Sequence, residues 1–331
     1  MALVEVTDLH VQLQTPRGPA DAVRGVSFTL ERGDTLGLVG ESGCGKSMTA
    51  LALMGLLPER ARVRGSIRFD GQELLGQSDA ALCRIRGNRI AMVFQEPMTA
   101  LNPVHSVGRQ VAEPLRLHHG LGARAARHEA IALMERVGIA DAAQRFGAYP
   151  HQFSGGQRQR ITIAMALACG PDLLLADEPT TALDATLQQQ ILGLIRELVA
   201  ERGMALLLIS HDLGVMAQQV RRMLVMYGGS VVESGPTATV FAQRTHPYTR
   251  GLFAARPPWG LARTPGLRLP TIAGTVPELA DLPPGCPFAG RCAFTIDACT
   301  TTVPPPTLLA DDHVVRCIRL DAVAAASEGR P

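Results

Sequence analysis

The hydrophobic positions of the chain follow two different patterns. Near the N-terminus, apolar and polar residues alternate in short runs, for example at 26–30 and 66–71. Alternation with period two is typical of half-buried antiparallel strands. Solid apolar runs occur elsewhere, at 36–39, 91–94, 173–176, 205–209 and 223–226. Such runs predict strands of a parallel sheet that helices cover on both faces.

Helical spacing appears between the solid runs. Residues 187–202 carry an apolar stripe, and residues 105–147 are polar, rich in His, Arg and Ala, and predicted to be helical. The stripe consists of Leu187, Ile191, Leu194, Ile195 and Leu198. A proline-rich segment at 257–306 predicts irregular chain and a boundary near residue 256. The predicted fold class is therefore α/β, with one domain at 1–256 and an extension at 257–331.

Composition limits the classes of protein to which the chain can belong. Of 331 residues, 46% are hydrophobic and 19% charged, which indicates a folded globular chain. A net charge of +2 argues against a nucleic-acid partner bound through its phosphates. Uncharged apolar runs fall short of the roughly 18 residues that a membrane span needs, and the N-terminus does not resemble a signal peptide. We expect a cytosolic chain, in which clustered cysteines favour metal ligands over disulfides.

A glycine-rich motif follows the apolar run at 36–39. It fits the pattern G-x-x-x-x-G-K-[ST], between a predicted strand and a predicted helix. The motif comprises Gly40, Glu41, Ser42, Gly43, Cys44, Gly45, Lys46 and Ser47, and Met48 follows it in the helix. Backbone N–H groups of such a loop surround phosphate oxygens, and the helix N-terminus adds partial positive charge. We predict that Lys46 reaches the β- and γ-phosphates of a nucleotide and that Ser47 ligates Mg²⁺.

Two further features support this nucleotide site. Lys46 is the only lysine among 32 basic residues, which predicts a position where a compact ammonium is needed and a planar guanidinium does not fit. The buried strand predicted at 173–176 ends in Asp177 and Glu178. We predict that Asp177 holds Mg²⁺ and that Glu178 polarises the attacking water.

A Ser-Gly-Gly-Gln stretch identifies a family. It consists of Ser154, Gly155, Gly156 and Gln157. Together with this stretch, residues 3–256 resemble the ATP-binding subunits of ABC transporters. The stretch matches the LSGGQ motif of that family, with Phe153 at the position where the family usually has leucine. The resemblance implies a P-loop NTPase core of the RecA-like type, an N-terminal antiparallel β subdomain and a helical subdomain at about 98–168. It also implies that this stretch binds the γ-phosphate of ATP held by an opposite subunit.

Other positions match the family in order. Gln95 matches the Q-loop, which contacts Mg²⁺, water and the membrane subunit. Asp184 matches the D-loop at the dimer interface, and His211 matches the histidine that contacts the γ-phosphate.

One position departs from the family. The aromatic residue that usually stacks on adenine falls at or near Leu13, so apolar contact replaces a ring face and weaker adenine discrimination is expected.

Three stretches resemble segments of the ATPases of oligopeptide and dipeptide importers: residues 95–103, 149–153 and 246–249. The wording of the first stretch is closer to the D-type than to the F-type subunit. The resemblance implies two membrane permease subunits, a second ATPase of the F type and an extracytoplasmic binding protein. It also implies a peripheral position at the cytoplasmic face of the inner membrane. Importers of nickel or glutathione stay open as alternatives. A non-transport ABC ATPase is less favoured, since a single nucleotide motif is present.

Four cysteines cluster near the C-terminus: Cys286, Cys292, Cys299 and Cys317. Their spacing does not match the tight C-x2-C pairs of structural zinc. Four thiolates in irregular chain can still hold a metal, so an iron–sulfur cluster, zinc and no metal all stay open on spacing alone. The resemblance implies a 4Fe–4S cluster. Cys83 and Cys169 are expected to pack in the core.

Overall fold

The computed structural model describes residues 2–95, 100–180, 183–256, 270–310 and 312–328. Its strands are β1 (Val4–Thr15), β2 (Gly18–Leu30), β3 (Thr35–Val39), β4 (Arg62–Phe69), β5 (Gln72–Glu73), β6 (Ile90–Val93), β7 (Leu173–Asp177), β8 (Ala205–Ile209), β9 (Arg222–Tyr227), β10 (Ser230–Pro236), β11 (Thr307–Leu308) and β12 (Val314–Val315). Its helices are α1 (Lys46–Met54), α2 (Asp79–Cys83), α3 (Val107–His118), α4 (Ala123–Arg136), α5 (Ala142–Arg145), α6 (Gly155–Ala166), α7 (Ala185–Arg202), α8 (Leu213–Gln219), α9 (Thr237–Gln243), α10 (Pro247–Ala254), α11 (Asp297–Thr301) and α12 (Leu320–Glu328).

The chain divides into two compact units. The first comprises Met1–Val4, Thr29–Thr35 and Arg68–Ile209, and the second comprises Glu5–Phe28, Leu36–Ile67 and Ser210–Pro331. The predicted domain boundary near residue 256 stays a prediction, because residues 257–269 lie outside the described residues.

The first unit contains a parallel sheet in the order β6-β7-β8. Every residue of these strands is buried, as the solid apolar runs predict for a sheet covered on both faces. Val93 pairs with Ala176 and Asp177 pairs with Ile209, so the strands end together. The carboxyl ends of a parallel sheet form the edge where ligands usually bind.

Helices of the first unit lie where helical spacing predicts them. Helices α3, α4 and α5 occupy the predicted helical segment at 105–147. Helix α7 begins after Asp184, whose side chain accepts a hydrogen bond from the N–H of Leu187, and ends at Gly203 in the left-handed conformation. Its predicted stripe is buried at Ile191, Ile195 and Leu198, while Leu187 is half-buried.

The second unit contains strands in the order β11-β12-β10-β9-β3, and a further sheet in the order β2-β1-β4. Strands β3 and β9 are parallel, while β9, β10, β12 and β11 pair antiparallel. A bulge between Val231 and Glu233 interrupts the pairing of β10 with β9. The described part of the proline-rich segment, residues 270–306, contains 3₁₀ turns and the short helix α11, in agreement with the predicted irregular chain.

Candidate nucleotide site

The phosphate-loop motif joins β3 to α1 in the second unit, as predicted. Gly45 precedes the first turn of α1 and carries no side chain that could cap it. The first N–H groups of a helix have no partner within the helix, so they are available to an anion. Ser42 and Gly43 are exposed, and Ser47 and Met48 are half-buried.

Two glycines of the loop are required by sterics. Gly40 and Gly45 have φ values of 156° and 99°, which favour glycine. A Cβ at Gly40 would lie 2.2 Å from the carbonyl oxygen of Met226, and one at Gly45 would lie 2.4 Å from that of Ala22. The backbone of the loop therefore packs directly against neighbouring backbone, which holds its shape.

The ammonium of Lys46 lies inside the loop. Its Nζ donates to the carbonyl oxygens of Gly40 at 2.8 Å and Glu41 at 3.0 Å, and Lys46 is only 6% exposed. Nζ also lies 3.6 Å from the Sγ of Cys44, a buried thiol. Burial raises the pKa of that thiol above its usual value, while the nearby ammonium opposes the rise. The side chain is thus held close to the site that the motif assigns to phosphates.

Glu41 is held by two residues from far along the chain. Its backbone N–H donates to the Oη of Tyr248 at 2.8 Å. Its carboxylate accepts hydrogen bonds from the guanidinium of Arg291, with Nη1–Oε2 at 2.6 Å and Nη2–Oε1 at 3.3 Å. No local spacing signals these contacts, so neither Arg291 nor the contact of Tyr248 with the loop could be predicted from the sequence.

The predicted acidic pair lies at the carboxyl end of β7 in the first unit. Asp177 is the last residue of the strand and is buried, while Glu178 follows it and is half-buried. Glu178 has φ of 45°, a left-handed conformation that costs a residue with a Cβ about 1–2 kcal/mol. Strain of this kind is concentrated at functional sites. Gln95 lies two residues beyond β6 and is exposed at the same edge of the sheet.

The Ser-Gly-Gly-Gln stretch forms the N-terminus of α6 in the first unit. Ser154 is the N-cap, and its Oγ and the side chain of Gln157 satisfy each other's backbone N–H groups. A Cβ at Gly156 would lie 2.2 Å from Cδ2 of Leu187, so helix packing explains that glycine. A Cβ at Gly155 would meet nothing within 4 Å, and the residue is exposed. Packing within the chain does not explain glycine there.

The other predicted residues are distributed over both units. Asp184 caps α7 in the first unit, while the neighbouring residues 181 and 182 lie outside the described residues. His211 belongs to the second unit, directly before the N-cap of α8, and is exposed. Leu13 is half-buried on β1. The part of the predicted importer signature at 96–99 also lies outside the described residues.

The four late cysteines line one cavity of the second unit. Backbone N–H groups two residues further on donate to three of their sulfurs. Phe294 N–H donates to Cys292 Sγ and Arg319 N–H to Cys317 Sγ, both at 3.4 Å, and Phe288 N–H donates to Cys286. Burial raises the pKa of Cys286 to about 11 and also raises those of Cys292 and Cys317. Within the described residues, no group of three or more His, Cys, Asp or Glu is placed to hold a metal ion.

The expectation for the remaining cysteines is half correct. Cys169 is buried, and burial raises the pKa of its thiol. Cys83 is exposed, so the prediction that it packs in the core was wrong. It ends the short helix α2, where Leu82 supplies the buried side chain and Cys83 faces Asp79 at 3.7 Å.

Two family profiles match the chain. The ABC transporter family matches residues 23–181, and the oligopeptide/dipeptide transporter C-terminal region matches residues 232–299. The oligopeptide transport ATP-binding protein OppD of Mycobacterium tuberculosis is 49% identical over 98% of this chain. The chain spans about half the length of the mycobacterial relatives, 53%. The dipeptide transport ATP-binding protein DppD of Bacillus subtilis is 49% identical, over 95% of this chain and 94% of its own length.

Solved structures agree with this assignment. A dimeric structure of the ATP-binding cassette MJ0796 in a post-hydrolysis state, bound to ADP and Pi, aligns with a TM-score of 0.64 and 26% identity. The alignment covers 71% of this chain and 98% of that one. Among the helices of the described ranges, none is long and apolar enough to cross a membrane. The chain belongs to the ABC transporter family, as an ATP-binding cassette that carries the oligopeptide/dipeptide transporter C-terminal region.

Proposed function

We propose that the chain hydrolyses ATP and thereby energises the import of peptides by an ABC transporter. The observation that carries this proposal is the phosphate loop, with the lone lysine held inside it and the first N–H groups of α1 open to an anion. The family profile over residues 23–181 and the likeness to a cassette bound to ADP and Pi support the same conclusion.

Each residue of the proposed mechanism has a distinct task. The loop backbone and Lys46 bind phosphates, and Lys46 exchanges its carbonyl partners for phosphate oxygens. Glu178 polarises water, and His211 contacts the γ-phosphate. Mg²⁺, when bound, neutralises phosphate charge; the proposed ligands, Ser47, Gln95 and Asp177, offer the oxygen atoms that this ion prefers.

A second cassette completes the proposed site. Ser154 and Gly155 are exposed at the N-terminus of α6, and a Cβ at Gly155 would meet only open space. Exposed backbone at a helix N-terminus suits the γ-phosphate of ATP held by another subunit. Asp184, exposed at the start of α7, is the proposed contact across the dimer.

The relatives support a peptide as the transported molecule. Their names specify oligopeptide and dipeptide transport, which favours peptides over nickel complexes or glutathione. The proposed assembly contains two permease subunits, a second ATPase related to this chain, and a binding protein outside the membrane. The chain would lie at the cytoplasmic face of the inner membrane, held by its protein partners.

Replacing Glu178 by Gln tests the proposed hydrolysis. The variant should bind ATP, lose ATPase activity by about 100-fold or more because general-base assistance contributes 10²–10⁴-fold, and accumulate as a closed dimer. Glu197→Gln, at an exposed acid of α7, is the matched control and should keep wild-type turnover. Normal turnover in Glu178→Gln would remove Glu178 from the mechanism.

We also propose that the four late cysteines hold a 4Fe–4S cluster. Four sulfurs around one cavity, three of them accepting backbone N–H groups, match the ligand set and hydrogen bonding of such clusters. Thiols with raised pKa values would release protons on binding the cluster.

Iron and acid-labile sulfide analysis of anaerobically purified protein tests the cluster. Reconstituted wild-type chain should approach four irons, and Cys286→Ser should lose most of them. Cys83→Ser, at an exposed cysteine elsewhere in the chain, should retain the wild-type iron content. Iron well below one atom per wild-type chain would reject the cluster.

A further inference from the structure

The cysteine-rich extension is connected to the phosphate loop by a partly buried ion pair between Arg291 and Glu41. The side chain of Arg291 is only 7% exposed and that of Glu41 26%, so water screens their attraction weakly. The two partners are 250 residues apart in sequence. Glu41 is the second residue of the phosphate-loop motif, and Arg291 directly precedes Cys292.

Residues other than Glu41 also hold the guanidinium of Arg291 in place. Its Nε donates to the carbonyl oxygen of Ala273 at 2.8 Å, and its Nη1 lies 3.3 Å from the Oη of Tyr227. These additional partners use the donors that the carboxylate leaves free. Arg291 is therefore a rigid support for Glu41, and lysine, with one ammonium, could not reproduce this set of contacts.

Tyr248 forms the second connection. Its ring is fully buried and packs against Tyr227, with centroids 4.7 Å apart, and against Phe288 at 5.3 Å. Phe288 lies between Cys286 and Cys292 in sequence, so the cysteine-rich segment supports the ring whose hydroxyl accepts the N–H of Glu41.

These contacts act on the residue that positions Lys46. The carbonyl oxygen of Glu41 accepts a hydrogen bond from the ammonium of Lys46, its N–H is held by Tyr248 and its carboxylate is neutralised by Arg291. Without Arg291, an unpaired carboxylate would remain on the loop that has to bind phosphates, and it would repel them. Loss of either contact would also release the loop backbone.

We propose that Arg291 and Tyr248 are positioning residues for ATP, through which the cysteine-rich extension sets the affinity of the phosphate loop. The inference rests on ATP binding, which is part of the proposed function, and requires neither a particular transported molecule nor a metal at the cysteines. Coupling of this kind is reciprocal, so ATP must strengthen the docking of the extension by the same factor.

The test is ATP affinity, measured on the full chain by equilibrium titration with a fluorescent analogue and competition by ATP. Arg291→Gln should weaken ATP binding about 10-fold, within the range typical of coupled sites. Tyr248→Phe removes only a hydroxyl, leaves the aromatic packing in place, and should weaken binding about 3-fold, as expected for one neutral hydrogen bond. Adding Glu41→Gln to Arg291→Gln should restore most of the affinity, because it removes the unpaired charge.

Arg17→Gln is the matched control. Arg17 binds Asp281 and Glu278 of the same extension through exposed ion pairs, and not Glu41 of the phosphate loop. This variant should keep ATP affinity within twofold of wild type. Hydrogen exchange provides a second readout: ATP should slow exchange of the amides at 286–292 in wild type and in Arg17→Gln, but far less in Arg291→Gln.

Three results would overturn the inference. ATP affinities of Arg291→Gln and Tyr248→Phe within twofold of wild type would refute it while leaving the proposed function intact. An equal loss in Arg17→Gln would show that docking of the extension in general, and not the contact with Glu41, matters. A wild-type chain that does not bind ATP would refute the proposed function and this inference together.

Discussion

Glu233 is a fully buried acid whose loss should destabilise the second unit strongly. It lies on β10 and accepts hydrogen bonds from the backbone N–H groups of Thr245 at 2.9 Å and His246 at 2.8 Å. It also bonds to the ring Nε2 of His313 at 2.7 Å, and His313 is fully buried as well. The carboxylate thus joins β10 to the start of α10 and to the turn before β12. Glu233→Ala removes all of these contacts.

The expected loss of stability follows from the polar groups that Glu233→Ala leaves without a partner. Burial raises the pKa of Glu233, and hydrogen bonds, chiefly from His313, lower it by more, so the pKa lies below the ordinary value of 4.5. The hydrogen bonds therefore outweigh the desolvation of the charge. Glu233→Ala leaves three buried nitrogen groups without a partner, and each buried polar group left unpaired costs about 1–3 kcal/mol, so we expect a loss of at least about 3 kcal/mol in the free energy of unfolding. This is a large share of the roughly 5–15 kcal/mol that stabilises most domains.

Urea unfolding followed by circular dichroism measures the loss. Glu278→Ala removes an exposed acid with a side chain 74% accessible, and its unfolding midpoint should stay close to wild type. The pH dependence gives a second measurement. Since the folded pKa of Glu233 is lowered, its contribution is complete above about pH 4.5 and declines as pH falls through the folded pKa. The difference in unfolding free energy between wild type and Glu233→Ala should therefore become smaller in acid.

Two results would refute this reasoning about Glu233. One is a difference in unfolding free energy below about 1 kcal/mol at pH 7, which is no more than an exposed pair contributes. The other is a difference that stays constant from pH 7 into acid, which would mean that the ionised carboxylate is not the stabilising species.

Three further variants test other parts of the site. Gly156→Ala places a Cβ 2.2 Å from Leu187 and should lower the free energy of unfolding, measured by chemical denaturation, by about 1–3 kcal/mol. Adding Leu187→Ala to this variant should recover part of the lost stability. Gly155→Ala, whose Cβ meets open space, should leave stability unchanged. Lys46→Arg should lower ATP affinity in a binding titration, because a planar guanidinium does not fit among the loop carbonyls that the ammonium contacts, and wild-type affinity would contradict the role of the lone lysine. Leu13→Tyr should raise the preference for ATP over GTP in competition binding by restoring a ring face for adenine, whereas an unchanged ratio would contradict adenine contact at this position.

Much of the cassette could be predicted from local patterns. The solid apolar runs at 173–176 and 205–209 become β7 and β8, since residues buried on both faces leave no polar positions in a strand. The phosphate loop could be recognised because its glycines, lysine and serine lie within the eight consecutive residues 40–47. Cys83 shows the limit of such patterns. A cysteine in a short helix carries no signal for which side faces the core, and tertiary packing exposed it.

Residues suited to phosphate, to a cation and to the activation of water could be predicted from the sequence, because those capacities depend on residue type and on spacing within a few positions. The contacts that support these residues are visible only in the folded chain. Tyr248 and Arg291 reach Glu41 across 207 and 250 residues, and contacts between such distant positions leave no periodicity or motif. The left-handed backbone at Glu178 is likewise a product of packing, since an isolated glutamate disfavours that conformation and the surrounding fold imposes it.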